Sequence, residues 1–223
     1  RAFALRDSFI SDAAHQMRNP VAAIQSQAEA ATSAPTEAEL RSRVADLADS
    51  ARATSRLTAQ LLSLERVRGR SLREFTDSVD LVALVREKIQ RFAEAQLRRG
   101  VEVTFSVTGK PRPVECDPVL VEEMVANLLD NAGKYGLRPG GRLDVSVDFA
   151  PQSIDLRFAD DGRGIPPEMR DRIFDRFFRL DPDQSRGCGL GLAIVADVAE
   201  AHGGSAHCWS NEPGVVIEVR LAR

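Results

Sequence analysis

Two neighbouring stretches, RLDVSVDF at 142–149 and SIDLRFAD at 153–160, decide the fold class of most of this chain. Apolar and polar residues alternate along both, which is typical of strands with one covered face. Because only a short turn separates them, they predict a hairpin within a mixed or antiparallel sheet. Around this hairpin we predict strands at 101–107, 205–209 and 215–221, and helices at 80–98, 118–134 and 190–202. These elements predict an α/β domain in which helices cover one face of the sheet.

The predicted helix at 118–134 has a clear start signal. Asp117 belongs to the residue types that cap a helix N-terminus, because its side chain can accept a bond from the first free N–H groups. Pro118 suits the first helical position, where its missing N–H has no partner to lose. We therefore expect the helix to begin at Pro118.

The N-terminal part of the chain follows a different spacing. Apolar and small residues recur with alternating steps of four and three, which is the pattern of a coiled-coil seam. On the first helix they are Ile10, Ala14, Met17, Val21, Ile24, Ala28 and Ala31. After a break at 33–36, Thr36 and Glu39 form a capping box for a second helix. The same spacing continues there at Leu40, Val44, Leu47, Ala51, Thr54, Leu61 and Leu64, and Leu57 widens the stripe.

Two such helices make a hairpin without a closed core. Each apolar stripe is broader than one partner helix can cover, so two hairpins should pair into a four-helix bundle. We therefore predict a homodimer. We divide the chain into an all-α helical hairpin at 1–68, a charged linker with a first strand at 69–79, and the α/β domain at 80–223.

Composition excludes several classes of function. The net charge is -3 and the pI about 5.7, so no overall basic field is available to bind nucleic acid or an anionic membrane. The three cysteines are widely spaced and fit neither a disulfide framework nor a zinc site, which suits a reducing compartment. No apolar run approaches the length of a membrane span, and no signal-peptide pattern is present. The chain begins in mid-helix sequence, so we expect it to be part of a longer protein.

Three motifs carry candidate chemistry, and the first is a pair of asparagines. Asn127 and Asn131 are four residues apart, so they lie on one face of the predicted helix. Their amide oxygens could share Mg²⁺ that arrives with a triphosphate, because the phosphates supply the negative charge. The alternative is that both are solvated or capping residues.

The second motif is ADDGRGIP at 159–166, at the end of a predicted strand. Gly162 and Gly164 allow positive φ angles and close approach of a ligand, while the Asp160 carboxylate could accept the exocyclic amine of adenine. A common aspartate-glycine turn is the alternative reading.

The third motif is RGCGLGLAIV at 186–195, where Gly187, Gly189 and Gly191 open an apolar helix. N–H groups at a helix N-terminus can cradle phosphate oxygens, and glycines remove the Cβ atoms that would obstruct them. The spacing lacks the lysine of a Walker motif. Tight packing at a helix start is the alternative.

Together these motifs resemble the H, N, F and glycine-rich boxes of bacterial sensor histidine kinases of two-component systems. The resemblance covers essentially the whole chain and is carried by FISDAAHQMRNPVAAI (9–24), NLLDNAGKYG (127–136), DDGRGIP (160–166), RIFDRFFRLD (172–181) and GCGLGLAIV (187–195). It implies a phosphoacceptor hairpin that dimerises as a four-helix bundle. It also implies an ATP-binding α/β two-layer sandwich of the Bergerat type that histidine kinases share with Hsp90 and gyrase.

The resemblance implies a role for each matching residue. His15 is similar to the phosphoacceptor that attacks the γ-phosphate of ATP and then passes the phosphoryl group to an aspartate of a response regulator. Asn131 corresponds to the Mg²⁺ ligand, and Asn127 lies beside it. The remaining nucleotide contacts implied are Lys134 to phosphate, Tyr135 near the base, Asp160 to adenine with Gly162, Gly164 and Ile165 around it, and Gly187, Gly189, Leu190, Gly191 and Leu192 in the phosphate loop. Residues 175–188 correspond to a mobile lid in which Arg186 reaches the γ-phosphate.

The surroundings of His15 bear on its chemistry. The seam leaves His15 just outside the core, and Pro20 should bend the helix because it removes an N–H and crowds the carbonyl of Gln16.

Relatives commonly carry a carboxylate directly after the phosphoacceptor, whereas this chain has Gln16, which cannot hold the proton. Asp12 could orient the ring instead. Asn19 matches the position that orients water for phosphatase activity, so we expect phosphatase activity with slow autophosphorylation.

Two other functions remain open at this point. A Bergerat-type ATPase is one, although such proteins carry a glutamate general base where this chain has Asn127. An ATP-binding pseudokinase or scaffold without phosphotransfer is the other. We expect the response regulator as partner, no nucleic acid, and a cytoplasmic location. The resemblance implies anchoring at a bacterial inner membrane through a segment of the parent chain that is absent here.

Overall fold

The structure is a computed structural model that describes residue 17 and residues 20–68, 77–181 and 188–222. It divides into two compact units, Arg1–Ser63 and Leu64–Arg223. Several predictions fall outside the described residues, namely those for Ile10, Asp12, Ala14, His15, Gln16, Asn19, Arg186 and Gly187.

The first unit contains the predicted helical hairpin. Residues 20–32 form helix α1, and helix α2 spans Glu37–Arg68. The backbone N–H of Glu39 donates to the Thr36 hydroxyl oxygen at 3.2 Å, so the predicted start of the second helix is confirmed. Arg43 joins the helices, because its guanidinium donates both to the Ala30 carbonyl and to the Glu39 carboxylate.

Large apolar side chains of this unit remain uncovered. The exposed fractions are 41% for Val21, 41% for Leu40, 49% for Val44 and 57% for Leu62. A single hairpin therefore leaves part of its seam in water, which costs free energy in proportion to the apolar area.

The second unit contains the α/β elements. In chain order they are β1 (Ser78–Val79), α3 (Leu81–Gln96), β2 (Glu102–Gly109), β3 (Val114–Glu115), α4 (Pro118–Asn131), β4 (Arg142–Phe149), β5 (Ser153–Asp160), α5 (Gly191–Ala201), β6 (Ser205–Ser210) and β7 (Val215–Ala222). Every predicted strand and helix of this unit is present. One predicted boundary is wrong: α4 ends at Asn131, and a wider π-helical turn, Ala132–Gly136, follows it.

The start of α4 is capped as predicted. A carboxylate oxygen of Asp117 accepts from the N–H groups of Val119 at 2.9 Å and Leu120 at 3.2 Å. Pro118 is the first residue of the helix. The capping aspartate and the proline thus fix where the helix begins, as their residue types predict.

The five-stranded sheet is mixed. Its order is β2-β4-β5-β7-β6, with β2 parallel to β4 and all other neighbours antiparallel. β1 and β3 form a separate antiparallel pair. The prediction of a mixed or antiparallel sheet is confirmed, whereas the parallel pairing of β2 with β4 was not specified by the pattern.

Alternation along the strands separates a covered face from a polar one. Inward side chains such as Leu143, Val147 and Leu156 are fully buried against the helices, which contribute Leu81, Val85, Leu120, Met124, Leu128 and Ile194. The opposite face carries ion pairs, including Arg220 with Asp155 at 2.7 Å and Arg157 with Glu218 at 2.6 Å. The helices described in this unit therefore lie on one face of the sheet, and Asp160 ends its central strand, β5.

No helix in the described ranges is both long and apolar enough to cross a membrane.

Candidate functional site

The three motifs singled out in the sequence come together in the second unit. Gly136 closes the π-helical turn after α4, and a Cβ added to it would lie 2.5 Å from the Asp160 carboxylate at the end of β5. Gly191 begins α5, and a Cβ there would lie 3.2 Å from the Oδ1 atom of Asn127. Glycines are therefore needed where the motifs touch, because a side chain would push them apart.

Asn127 is buried at the contact between α4 and α5. Its Nδ2 group donates to the Glu123 carbonyl at 3.0 Å, which turns Oδ1 toward Gly191. Asn131 follows one turn later on the same face of α4 and is half-buried. The predicted shared face of the two asparagines is thus present, with Asn131 at the more accessible end.

The π-helical turn explains why the site begins where α4 ends. The N–H of Leu137 donates to the carbonyl of Ala132 at 2.8 Å, which closes the wider turn. Such turns are rare and frequently occur at functional sites. Within it Lys134 forms an ion pair with Asp130, and Tyr135 is 37% exposed. Both side chains are therefore on the accessible side of the turn.

Asp160 is the buried charged group of the site. A carboxylate oxygen accepts from the Gly162 N–H at 3.0 Å. Burial raises the pKa of this carboxyl above its usual value, and the neighbouring charge of Asp161 adds to the rise. Backbone bonds from Gly162 and Val215 lower the pKa and partly offset burial. The result is an oriented acceptor in a dry setting, suited to a hydrogen bond from an amine.

Residues that the sequence reasoning missed hold the backbone of Asp160. The amide group of Asn211 donates to the Asp160 carbonyl at 2.8 Å. Gly214 packs against the same carbonyl, and an added Cβ would lie 1.9 Å from that oxygen. Both precede β7 and are distant from the motif, so no local pattern indicates their role. Gly136, by contrast, ends the asparagine motif and could have been singled out as a helix stop.

The glycines after Asp160 allow close packing of the backbone as well as the close approach of a ligand predicted above. A Cβ on Gly162 would lie 2.1 Å from the Gly136 carbonyl oxygen, so this glycine permits a close approach of two backbone segments. Gly164 has a φ of 75°, as predicted, whereas Gly162 does not adopt a positive φ. Ile165 is half-buried, and its carbonyl accepts from the Arg170 side chain at 3.1 Å.

The glycine-rich segment also has a packing role. Gly189 has a φ of 71°, and an added Cβ would lie 2.6 Å from the Phe177 carbonyl carbon. Leu190 is fully buried, and Leu192 is half-buried. No side chain in the described ranges caps α5 at Leu190. The first turn of α5 therefore presents N–H groups of the kind that bind anions.

Cys188 lies at the start of this segment. Burial raises the pKa of its thiol, whereas a backbone bond from Leu190 and the positive charges of Lys134 and Arg179 lower it. The thiol stays protonated at neutral pH because the net direction is upward. Lys134 and Arg179 thus bring positive charge to the glycine-rich side of the site.

No cluster of three or more His, Cys, Asp or Glu side chains that could hold a metal is present in the part of the chain that the structure describes. Asn131 offers a neutral amide oxygen, a donor that fits a metal ion carried by a polyphosphate.

Comparison with known families accounts for both units. Residues 5–70 match the model of the His Kinase A (phospho-acceptor) domain. Residues 116–223 match the model of the histidine kinase-, DNA gyrase B- and HSP90-like ATPases.

Individual relatives agree with these matches. The sensor-like histidine kinase SenX3 of Mycobacterium tuberculosis is 34% identical over 226 residues, which cover 100% of this chain and 54% of SenX3. The chain thus spans about half the length of the curated relatives it matches. A solved structure of the mycobacterial sensor histidine kinase MprB is 35% identical with a TM-score of 0.56, over 66% of this chain and 96% of the solved chain. A solved structure of the Acinetobacter baumannii histidine kinase AdeS shares the fold, with 22% identity and a TM-score of 0.73 over 93% of this chain and 97% of the solved chain.

Proposed function

Because the chain belongs to the bacterial sensor histidine kinases, we propose that it binds ATP in its α/β unit and transfers the γ-phosphoryl group to His15. From phosphohistidine the group passes to an aspartate of a response regulator. The observation that carries the proposal is the buried Asp160 carboxylate, held where the end of α4 and the start of α5 converge. This arrangement suits a ligand that has both an amine-bearing base and an anionic tail.

Base recognition rests on Asp160. Its carboxylate accepts the exocyclic amine of adenine, while Gly162, Gly164 and Ile165 shape the surrounding pocket and Tyr135 borders it. A base with a carbonyl oxygen at that position would face the carboxylate with another acceptor and leave a buried group unpaired. The site therefore favours adenine over guanine.

Phosphate recognition rests on the start of α5 and on cations. Gly189, Leu190, Gly191 and Leu192 supply the N–H groups of this segment, and the helix dipole favours negative charge there. Lys134 exchanges its pairing with Asp130 for the phosphates. We propose further phosphate contacts from Gly187 and Arg186, which lie outside the described residues. Mg²⁺ bound with ATP supplies charge neutralisation, and Asn131 would hold it with Asn127 alongside.

The chemistry at His15 requires a neutral ring nitrogen. An imidazole that is neutral at cytoplasmic pH has a lone pair for attack on phosphorus, and the N–P bond is labile enough to pass the group onward. Gln16 accepts a hydrogen bond but holds no proton, so we propose that autophosphorylation is slow. Asn19 orients water for dephosphorylation of the response regulator, which makes the enzyme bifunctional.

The proposed assembly is a homodimer through the hairpin. Exposed seam residues such as Leu40 and Val44 need a partner, and a second copy supplies the complementary stripe. The dimer acts at the cytoplasmic side of a bacterial inner membrane, anchored by a segment of the parent protein, and its other partner is the receiver domain of a response regulator.

The central experiment incubates the chain with γ-labelled ATP and Mg²⁺. We expect an acid-labile, base-stable label that is lost in His15→Ala. Asn131→Ala should weaken ATP binding in calorimetry. No ATP uptake by the wild-type chain, or uptake that Asn131→Ala leaves untouched, would contradict the proposal.

Two alternatives give different results in the same assay. A Bergerat-type ATPase hydrolyses ATP at an unchanged rate in His15→Ala, whereas a pseudokinase binds ATP and yields no label. Gln16→Glu should raise the yield of phosphohistidine if Gln16 limits the transfer.

A further inference from the structure

Two segments, residues 175–181 and 188–190, here called the loop stems, flank residues 182–187. The stems are joined through their backbones, because the Phe177 N–H donates to the Gly189 carbonyl at 2.8 Å. Gly189 packs so closely on Phe177 that an added Cβ would lie 2.6 Å from its carbonyl carbon. A shift of one stem therefore moves the other.

The backbone at this junction is strained. Phe177 has a φ of 63°, a left-handed conformation that is an outlier for a bulky residue. Such a conformation is strained and persists only when surrounding contacts hold it. The junction thus needs an anchor outside the stems.

Asp197 of α5 provides this anchor through its ion pair with Arg176. The Arg176 Nη2 atom lies 2.6 Å from an Asp197 carboxylate oxygen, and the two side chains are only 26% and 23% exposed. A partly buried guanidinium–carboxylate pair has a better defined geometry than a surface pair. Asp197 lies on the helix that begins at Gly191, where the phosphate-binding N–H groups are expected.

We propose that Arg176 and Asp197 are positioning residues for nucleotide binding. Their ion pair holds the strained stem at Phe177 against α5, and the Phe177–Gly189 bond passes this restraint to the segment that leads into the first turn of α5. The N–H groups of Gly189, Leu190 and Gly191 thereby stay aimed at the phosphates before the nucleotide arrives. This inference rests on the proposed function, because it assigns the ion pair a role in binding ATP.

A matched ion pair elsewhere separates positioning from general stability. Arg220 and Asp155 lie 2.7 Å apart on the polar face of the sheet, and the Asp155 side chain is 11% exposed. Asp155→Asn removes a carboxylate of the same kind on the polar face of β5, five residues before Asp160. This variant should therefore show the effect of losing an ion pair on stability, without a change in the Kd for ATP.

The test measures ATP and adenosine affinities of the whole chain by calorimetry and NMR titration. Asp197→Asn should raise the Kd for ATP roughly three- to tenfold, a typical coupling for residues in contact. It should leave the Kd for adenosine unchanged, because Asp160 alone reads the base. The double variant Arg176→Asp with Asp197→Arg should recover part of the lost ATP affinity.

The possible results separate a failure of the role proposed for the ion pair from a failure of the proposed function. If Asp197→Asn binds ATP as the wild type does, or if Asp155→Asn weakens ATP equally, this inference is overturned while the proposed function stands. If ATP and adenosine weaken together, the pair acts through the general fold, which also overturns it. If the wild-type chain takes up no ATP, the proposed function fails and this inference fails with it.

Discussion

The imidazole of His202 joins the end of α5 to the cap of α4. Its Nε2 atom accepts a hydrogen bond from the backbone N–H of Asp117 at 3.2 Å, and its Nδ1 atom lies 2.7 Å from the Val198 carbonyl. Because the Asp117 N–H can only donate, Nε2 must be unprotonated and Nδ1 must donate to Val198. The buried ring is therefore neutral, and a second proton would oppose the Asp117 N–H.

The first prediction concerns pH. Burial lowers the pKa of His202 below its ordinary value, although the bond to Val198 opposes the shift. As pH falls through the unfolded-state pKa of roughly 6.5, only the unfolded chain takes up the proton, so stability falls until the folded pKa is passed. Wild type should therefore lose more free energy of unfolding between about pH 7.5 and 5.5 than His202→Gln does, measured by urea denaturation.

The control for this prediction is His207, which is exposed on β6. His207→Gln should keep the pH dependence of the wild type. If the free energy of unfolding falls equally with pH in wild type and His202→Gln, protonation of the buried ring does not contribute to the pH dependence of stability.

The second prediction separates binding from stability at Asp160. Asp160→Asn removes a buried carboxylate whose raised pKa reports a cost of burial at neutral pH. ATP binding should be lost, because the asparagine amide is neutral and offers the adenine amine one acceptor oxygen in place of two. The free energy of unfolding at pH 7 should stay within about 1 kcal/mol of the wild type or rise. A loss clearly larger than this would mean that Asp160 is held for structural reasons.

The third prediction uses the contact between Gly136 and Asp160. Gly136→Ala places a Cβ 2.5 Å from the carboxylate, so the carboxylate or the turn must move. We expect a loss of about 1–3 kcal/mol in the free energy of unfolding and at least tenfold weaker ATP binding. Calorimetry and denaturation measure the two effects.

Gly133→Ala is the control in the same turn. Its Cβ would meet the Phe92 ring at 3.1 Å, away from Asp160. It should cost some stability and leave ATP affinity within about twofold of the wild type. Equal losses of affinity in both variants would contradict a specific role of the Gly136 contact.

The fourth prediction concerns the dimer. Val44 is 49% exposed on α2, on the stripe that a second hairpin is proposed to cover. Val44→Asp would bury a carboxylate in that interface at a cost of several kcal/mol, so sedimentation should detect monomers. Val119 is similarly exposed, at 55%, in the other unit. Val119→Asp should remain dimeric, and a dimeric Val44→Asp would reject this interface.

Local patterns predicted the elements well because their causes are local. Alternation gave the strands at 142–149 and 153–160 with the bounds observed, and Asp117 with Pro118 marked the start of α4. The π-helical turn after Asn131 was missed, since the same residues read as an ordinary continuation of the helix. The same turn packs on Asp160 through Gly136, a contact that the local pattern does not contain.

Contacts between distant segments were not predictable in the same way. The motifs indicated Asp160, Asn127 and Gly191, but no period in the sequence relates Asp160 to Asn211 or Arg176 to Asp197. Such pairs depend on the order of strands and on where loops cross, which residue spacing does not encode. Predicted roles of individual site residues therefore remain predictions that the variants above test.

The position of Gly214 against the Asp160 carbonyl has a consequence for biosynthesis. Asp160 pairs with Leu143 of β4 on one side and with Val215 of β7 on the other. A nascent chain that has emerged from the ribosome only as far as α5 can form the β4–β5 hairpin early, yet the adenine pocket proposed above then lacks one wall. On that proposal, nucleotide stabilises this unit only after β7 has joined, and it does not rescue a chain truncated before that strand.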